Sequence, residues 1–176
     1  MPTHRFNPQT LLEFLRSEGF HPFAPYEFTL YEHPAVFTCA ESDIHLAHIE
    51  ALGTKNLFLK EEKGARIFLV TVPDSKRVDL NKLRFALNSE RLTFGKPELL
   101  LECLGVEPGS VTLFGIANDR EKKVELFIDQ AVMDAPVIQA HPLRNTASVT
   151  LAPKELLRFL KEIEREASLI EVPAKV

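Results

Sequence analysis

The sequence predicts an α/β fold: a single domain built on one mixed, mainly antiparallel sheet covered by helices. Three observations predict it. Segments with the 3.6-residue apolar spacing of helices alternate with short runs rich in Val, Ile, Leu and Phe. Several of those runs are joined by tight polar turns, a connection open only to antiparallel neighbours, which argues against a doubly wound parallel sheet. The chain has 176 residues, 45% apolar and 26% charged, the length and balance of one globular domain with a sizeable core.

The elements follow in order. Asn7-Pro8 is an N-cap with proline in the first turn, and Leu11, Leu12 and Leu15 then share a face until Gly19. His21 to Pro25 is a loop and Phe28 to Glu32 a strand. A second helix is expected over Cys39 to Leu52, with Ile44, Ala47, Ala51 and Leu52 inward. Asn56 to Leu59 and Arg66 to Val72 form a hairpin around Glu61-Glu62-Lys63-Gly64, and Pro73 stops its second strand. Asp79 caps a third helix with Leu80, Leu83 and Leu87 inward. Pro97 to Leu104 is a fourth, closed by Gly105. Strands are expected at Val111 to Ile116, Val124 to Ile128, Val137-Ile138 and Thr146 to Leu151. A last helix starts near Pro153, with Leu156, Leu157, Leu160 and Ile163 on one stripe. The domain is expected over residues 1–168, with 169–176 a frayed tail.

Charge and motifs narrow the function. The net charge of −4 argues against coating duplex DNA, which rewards a strongly basic face, but leaves room for a local patch that grips a few phosphates. Cys39 and Cys103 have neither zinc-knuckle nor redox spacing. The start of the chain lacks a secretory pattern and no apolar run is long enough to cross a bilayer, so a cytoplasmic location without membrane contact is expected. There is no Gly-rich phosphate loop, nucleophile elbow or zinc-protease helix motif. His45, His48 and Glu41 have a spacing that could hold a metal, but no third strong ligand stands out, and neither metal nor cofactor is expected.

Two places stand out. Lys55 opens an apolar strand, where it either marks a strand end or projects its ammonium into a cleft and pulls on a phosphate or carbonyl oxygen. The loop His141-Pro142-Leu143-Arg144-Asn145-Thr146 sets an imidazole, an amide and a hydroxyl between two strand segments. It either presents them to a ligand or staples itself.

These places lie in strings that resemble the prolyl-tRNA editing family: His33-Pro34-Ala35-Val36-Phe37-Thr38, Thr54-Lys55-Asn56-Leu57-Phe58-Leu59-Lys60 and Lys76-Arg77-Val78-Asp79-Leu80. Leu104-Gly105-Val106-Glu107-Pro108-Gly109-Ser110-Val111, Phe114-Gly115-Ile116-Ala117-Asn118-Asp119 and His141 to Ala147 continue the series in the family's order. The Lys-Asn pair and the His141 loop look most like the branch of freestanding deacylases that clears alanine from proline tRNA. The resemblance implies hydrolysis of the aminoacyl ester at the tRNA acceptor end, with Lys55 as the central residue. It implies that the substrate's vicinal ribose hydroxyl helps to organise the attacking water.

Asn56 and His141 match positions that line the amino-acid and adenosine site, with Asn145 in the same loop and Gly109 in a loop beside the acceptor end. Lys60 and Arg91 are candidates for tRNA phosphates, with Lys76 and Arg77 in reserve. A synthetase for proline is a possible partner. Leu113 stands where the family commonly has proline, and Ala140 where a bulkier residue is usual and could enlarge the amino-acid pocket. Two other readings stay open: a deacylase for Cys-tRNA(Pro) or another small amino acid, and a non-catalytic tRNA- or synthetase-binding module.

Overall fold

The computed structural model describes residues 5–176. Its centre is an eight-stranded mixed sheet in the order β1-β7-β6-β2-β3-β5-β8, with β4 on a branch paired to β2. The strands are β1 Phe28–Glu32, β2 Leu52–Glu61, β3 Ile67–Pro73, β4 Leu92–Phe94, β5 Val124–Asp129, β6 Ile138–Ala140, β7 Ala147–Leu151 and β8 Ala167–Ile170. The pairs β1–β7, β6–β7, β2–β3 and β2–β4 are antiparallel, whereas β2–β6, β3–β5 and β5–β8 are parallel.

Strand alternation sends side chains to two cores. Phe58, Leu69, Leu126 and Ile128 face the larger one, built with α1 (Pro8–Leu15), α4 (Pro97–Leu104), a 3-10 helix (Leu113–Asn118) and α6 (Pro153–Glu162). Leu59, Phe68, Val70 and Val72 face the smaller one, with Leu83 and Leu87 from α3 (Leu80–Ala86) and its C-cap. Much of the aromatic bulk is spent on packing: Phe14 and Phe114 both contact Phe159 edge to face, at 5.9 and 5.1 Å.

Local signals set the helix ends. Asn7 and Thr10 close a capping box on α1, Asp79 accepts from the Lys82 amide on α3, and Gly105 ends α4 at φ 68°. Four expectations are corrected. Helix α2 is shorter, Cys39–Leu46, with Ile44 78% exposed. Leu52 belongs instead to β2, because its amide donates to Val137 O, 2.9 Å away. Val111 to Ile116 is no strand: Leu113–Asn118 is the 3-10 helix, every residue of it buried, so no alternation marks the segment. Asn118 anchors it, exchanging hydrogen bonds with Phe6 and donating to Leu104 O. On α6, Leu157 is exposed and Phe159 takes the inward place.

The expected frayed tail is also ordered. Ala167–Ile170 pairs in parallel with β5, Val172 is buried, and Ala174 bridges to Val78. The short strands β4 and β8 and the five-residue α5 (Gln130–Asp134) had no counterpart in the sequence reading.

Candidate active site

Strand β2 changes partners along one edge. Its first residues pair with β6 and its last with β4, so between Gly53 and Leu59 that edge meets neither strand. Gly53 O accepts from Asp74 N on the β3 side, whereas Phe58 O accepts from Gly95 N on the opposite side. By alternation, the main-chain groups of Asn56 face away from β3, toward the uncovered edge, whereas Thr54 is still held to β6, its hydroxyl donating to Gln139 O at 2.6 Å. A cleft of about 290 Å³ lies there. It is lined by Thr54, Lys55 and Asn56 of β2, by Asp74 and His141, and by Val36, Phe37, Thr38, Gly109 and Val111. Lys55 pairs with Val72 and Asn56 with Thr71, so the two side chains leave opposite faces of β2. Both line the cleft because it wraps the open edge of the strand.

Asn56 is held by its own amide. Thr71 Oγ1 donates to Oδ1 at 2.7 Å, and Nδ2 donates to Val111 O at 3.4 Å. Since a carbonyl only accepts, Val111 settles which end is the nitrogen, leaving one Nδ2 hydrogen for a ligand.

His141 follows β6. Its Nδ1 lies 3.0 Å from Ala147 O, so Nδ1 carries the proton and Nε2 is the acceptor. Burial lowers the pKa of His141 from its ordinary value, the bond to Ala147 opposes this, and His33, 6.3 Å away between ring centroids, lowers it further. The imidazole is therefore neutral near pH 7. Behind it, His33 Nε2 and Gln139 Nε2 both meet the hydroxyl of the fully buried Ser148, at 3.0 and 3.2 Å.

The apolar wall is tied by hydrogen bonds. Glu41 Oε2 accepts from the amides of Phe37 and Thr38, at 2.7 and 3.0 Å, and Thr38 caps α2 in return. Glu41 is thereby a cap beside His45. Among the described residues no three metal-ligating side chains gather. Gly109 sits at φ 91° in the turn closed by Ser110 N on Glu107 O, after Pro108, as a type II turn requires. A Cβ there would come within 3.0 Å of the Phe37 ring.

A family model described as "Aminoacyl-tRNA editing domain" matches residues 33–159, a span containing every wall of the cleft. The chain belongs to this family. It is 38% identical over 140 residues to zebrafish (Danio rerio) prolyl-tRNA synthetase associated domain-containing protein 1, covering 78% of this chain and 76% of the relative. It is 31% identical over 135 residues to the prolyl-tRNA editing protein ProX of Acetoanaerobium sticklandii, covering 76% of this chain and 82% of that one. A solved structure described as a candidate trans-editing enzyme for prolyl-tRNA synthetase shares the fold, with a TM-score of 0.67, 20% identity and coverage of 97% and 99%. No helix among the described residues is long and apolar enough to cross a membrane.

In this editing domain the sequence candidates separate. Lys55, Asn56, Gly109 and His141 line one cleft. Asn145 does not line it: its Nδ2 donates to Val36 O at 3.3 Å and Val36 N returns a bond to Asn145 O, fastening the His141 loop to the apolar wall. Lys60 lies five residues along β2 from Lys55, about 17 Å at the strand rise. Arg91, just before β4, is exposed beside Glu62 at 3.5 Å. Lys76 is no reserve phosphate contact, because its ammonium meets Asp129 at 2.5 Å and Val172 O at 3.0 Å, pinning the C-terminal segment. Leu113 and Ala140 are buried in the larger core and not in the cleft, so Ala140 does not enlarge the pocket directly. Asp74 was missed. In the sequence it reads as a turn residue after Pro73, and only the β2–β3 register brings it beside Gly53. Cys103 is no rival nucleophile, since burial pushes its thiol up to about 11.

Proposed function

We propose that this editing domain is a deacylase acting in trans on mischarged proline tRNA, with Ala-tRNA(Pro) as its preferred substrate. The observation that carries the reading is the convergence of an ammonium, an oriented amide and a neutral imidazole, Lys55, Asn56 and His141, on one small cleft. The names of the zebrafish and A. sticklandii relatives support the same direction.

An aminoacyl ester is already activated, so positioning and charge can supply most of the rate. Lys55 holds the terminal phosphate or the ester carbonyl, and the remaining Nδ2 hydrogen of Asn56 is left to donate to another acceptor of the bound substrate. His141 Nε2 takes a proton from water as it attacks the carbonyl carbon, and negative charge gathers on the carbonyl oxygen beside Lys55. When the tetrahedral intermediate collapses, the bond from the carbonyl carbon to the ribose oxygen breaks and that oxygen leaves with the proton. Free amino acid and tRNA with an intact ribose hydroxyl result, and no metal is asked to take part.

Selectivity follows from the wall. Val36, Phe37, Gly109 and Val111 line the apolar part of the cleft, and the reading requires that this wall accept a methyl side chain and refuse a proline ring by size. Lys60, on β2, and Arg91, just before β4, are the proposed contacts to phosphates of the acceptor end.

The test is a panel of proline tRNAs charged with alanine, cysteine, serine or proline, each ester's half-life measured with and without protein. Shortening of the alanyl half-life with prolyl-tRNA spared supports the reading. Preference for the cysteinyl ester moves the protein to the cysteine branch, and binding without turnover makes it a non-catalytic module.

A further inference from the structure

We infer that Asp74 receives the α-ammonium group of the bound amino acid, making the protein selective for esters with a free amine; this rests on the deacylase reading above. Asp74 lines the same cleft as Lys55 and His141. It directly follows Pro73, which pairs with Thr54, and its amide donates to Gly53 O at 2.9 Å, so it stands opposite Gly53. Gly53 and Lys55 are two apart on β2 and share a face. Lys55 itself pairs with Val72, two residues before Asp74. Lys55 and Asp74 are thus diagonal neighbours on one face of the sheet, about 7–8 Å apart and closer at Cβ.

The carboxylate lies against the strand itself. A Cβ on Gly53 would come within 2.1 Å of Asp74 Oδ2 and 2.8 Å of its Cγ. The missing side chain at 53 is therefore what admits the carboxylate to its place. One wall then offers a cation and an anion side by side.

The reacting end of an aminoacyl-tRNA has the opposite pattern: a phosphate and a polarised carbonyl, with a positive α-ammonium one carbon away. Lys55 on the carbonyl or phosphate leaves the ammonium within reach of Asp74, where a charge-assisted hydrogen bond forms in a half-buried site. The consequence is chemical discrimination. N-acylated esters, including peptidyl- and formylated aminoacyl-tRNAs, lose the charge and add bulk at the carboxylate, so translation's own N-blocked tRNAs are spared.

The experiment compares three esters on one tRNA: alanyl, N-acetylalanyl, and the lactyl ester made by replacing the amine with hydroxyl. Each enzymatic rate is divided by that ester's spontaneous rate, because the ammonium itself activates the carbonyl. Wild-type protein should favour alanyl over lactyl ester by about 10- to 100-fold, the range of one charged hydrogen bond. Asp74→Asn should bring that ratio close to one. Gly53→Ala, which displaces the carboxylate without changing its charge, should move it the same way. Equal enhancement of alanyl and lactyl esters by the wild type, or an unchanged ratio in Asp74→Asn, overturns the role of Asp74 and leaves the deacylase reading intact. Failure to hydrolyse any of the three overturns both.

Discussion

Replacing Thr71 with valine removes one hydrogen bond while keeping the side chain's shape. Thr71 is 2% exposed, and its hydroxyl donates to Asn56 Oδ1 at 2.7 Å. A neutral buried hydrogen bond contributes about 1 kcal/mol net, so Thr71→Val should lower the melting temperature by about 2–4 °C in a domain of this size. The same bond anchors the Asn56 side chain, while Val111 O, which only accepts, sets which end of the amide is the nitrogen. Losing an anchor of about 1 kcal/mol lets the Asn56 side chain leave its place and lowers kcat/KM, by about fivefold at most. Deacylation of Ala-tRNA(Pro) and thermal denaturation, measured on the same preparations, separate the two effects. Thr71→Ser keeps the hydroxyl and should restore the rate even where packing loss leaves the protein less stable. A valine variant that melts earlier yet turns over at the wild-type rate would refute a role for Asn56 orientation in catalysis.

Lys76→Met should cost about 3 kcal/mol in urea denaturation, because the buried Asp129 carboxylate loses its partner, while KM for tRNA stays unchanged at temperatures where the variant is folded. Lys60→Ala and Arg91→Ala should each raise KM at constant kcat and lower the slope of log affinity against log salt by about one, read from filter binding over a salt series. His141 contributes a pH dependence whose sign follows from burial. Its folded pKa lies below the unfolded value of about 6.5, so the unfolded chain takes up the proton first as pH falls. Its contribution to stability is thus intact above about pH 6.5 and is lost as pH drops toward and through the folded pKa. Urea midpoints between pH 5 and 8 should show this slope in the wild type and a shallower one in His141→Gln.

What could be read from the sequence was what is local. Asn7-Pro8, Asp79 and Gly105 mark helix ends by bonds to residues a few positions away, and those ends lie where expected. The β2–β3 hairpin was visible because its turn is polar and its strands are strongly apolar. Strand β8 is four residues with no clean alternation, held by parallel pairing to β5, and nothing within the segment announces that partner. The 3-10 helix resembled a strand because a fully buried apolar run has no period to distinguish the two.

The site divides in the same way. Lys55 and the His141 loop stood out as chemistry in unusual places, but their convergence depends on β2 passing from β6 to β4 and leaving an edge open between them. Asp74 was hidden for that reason. A Pro-Asp-Ser run reads as a turn, and only a glycine twenty-one positions earlier, brought opposite by the sheet, turns its carboxylate into part of the cleft.

Lys55 carries the proposed chemistry, and release of labelled alanine from purified Ala-tRNA(Pro) by wild-type protein and Lys55→Ala tests its role most directly. The wild type should shorten the ester's half-life, and the variant, with an unchanged circular dichroism spectrum and melting temperature, should lose about 100-fold or more of that rate, as when one donor to a developing oxyanion is removed. A folded Lys55→Ala protein that still releases alanine at the wild-type rate would contradict the account.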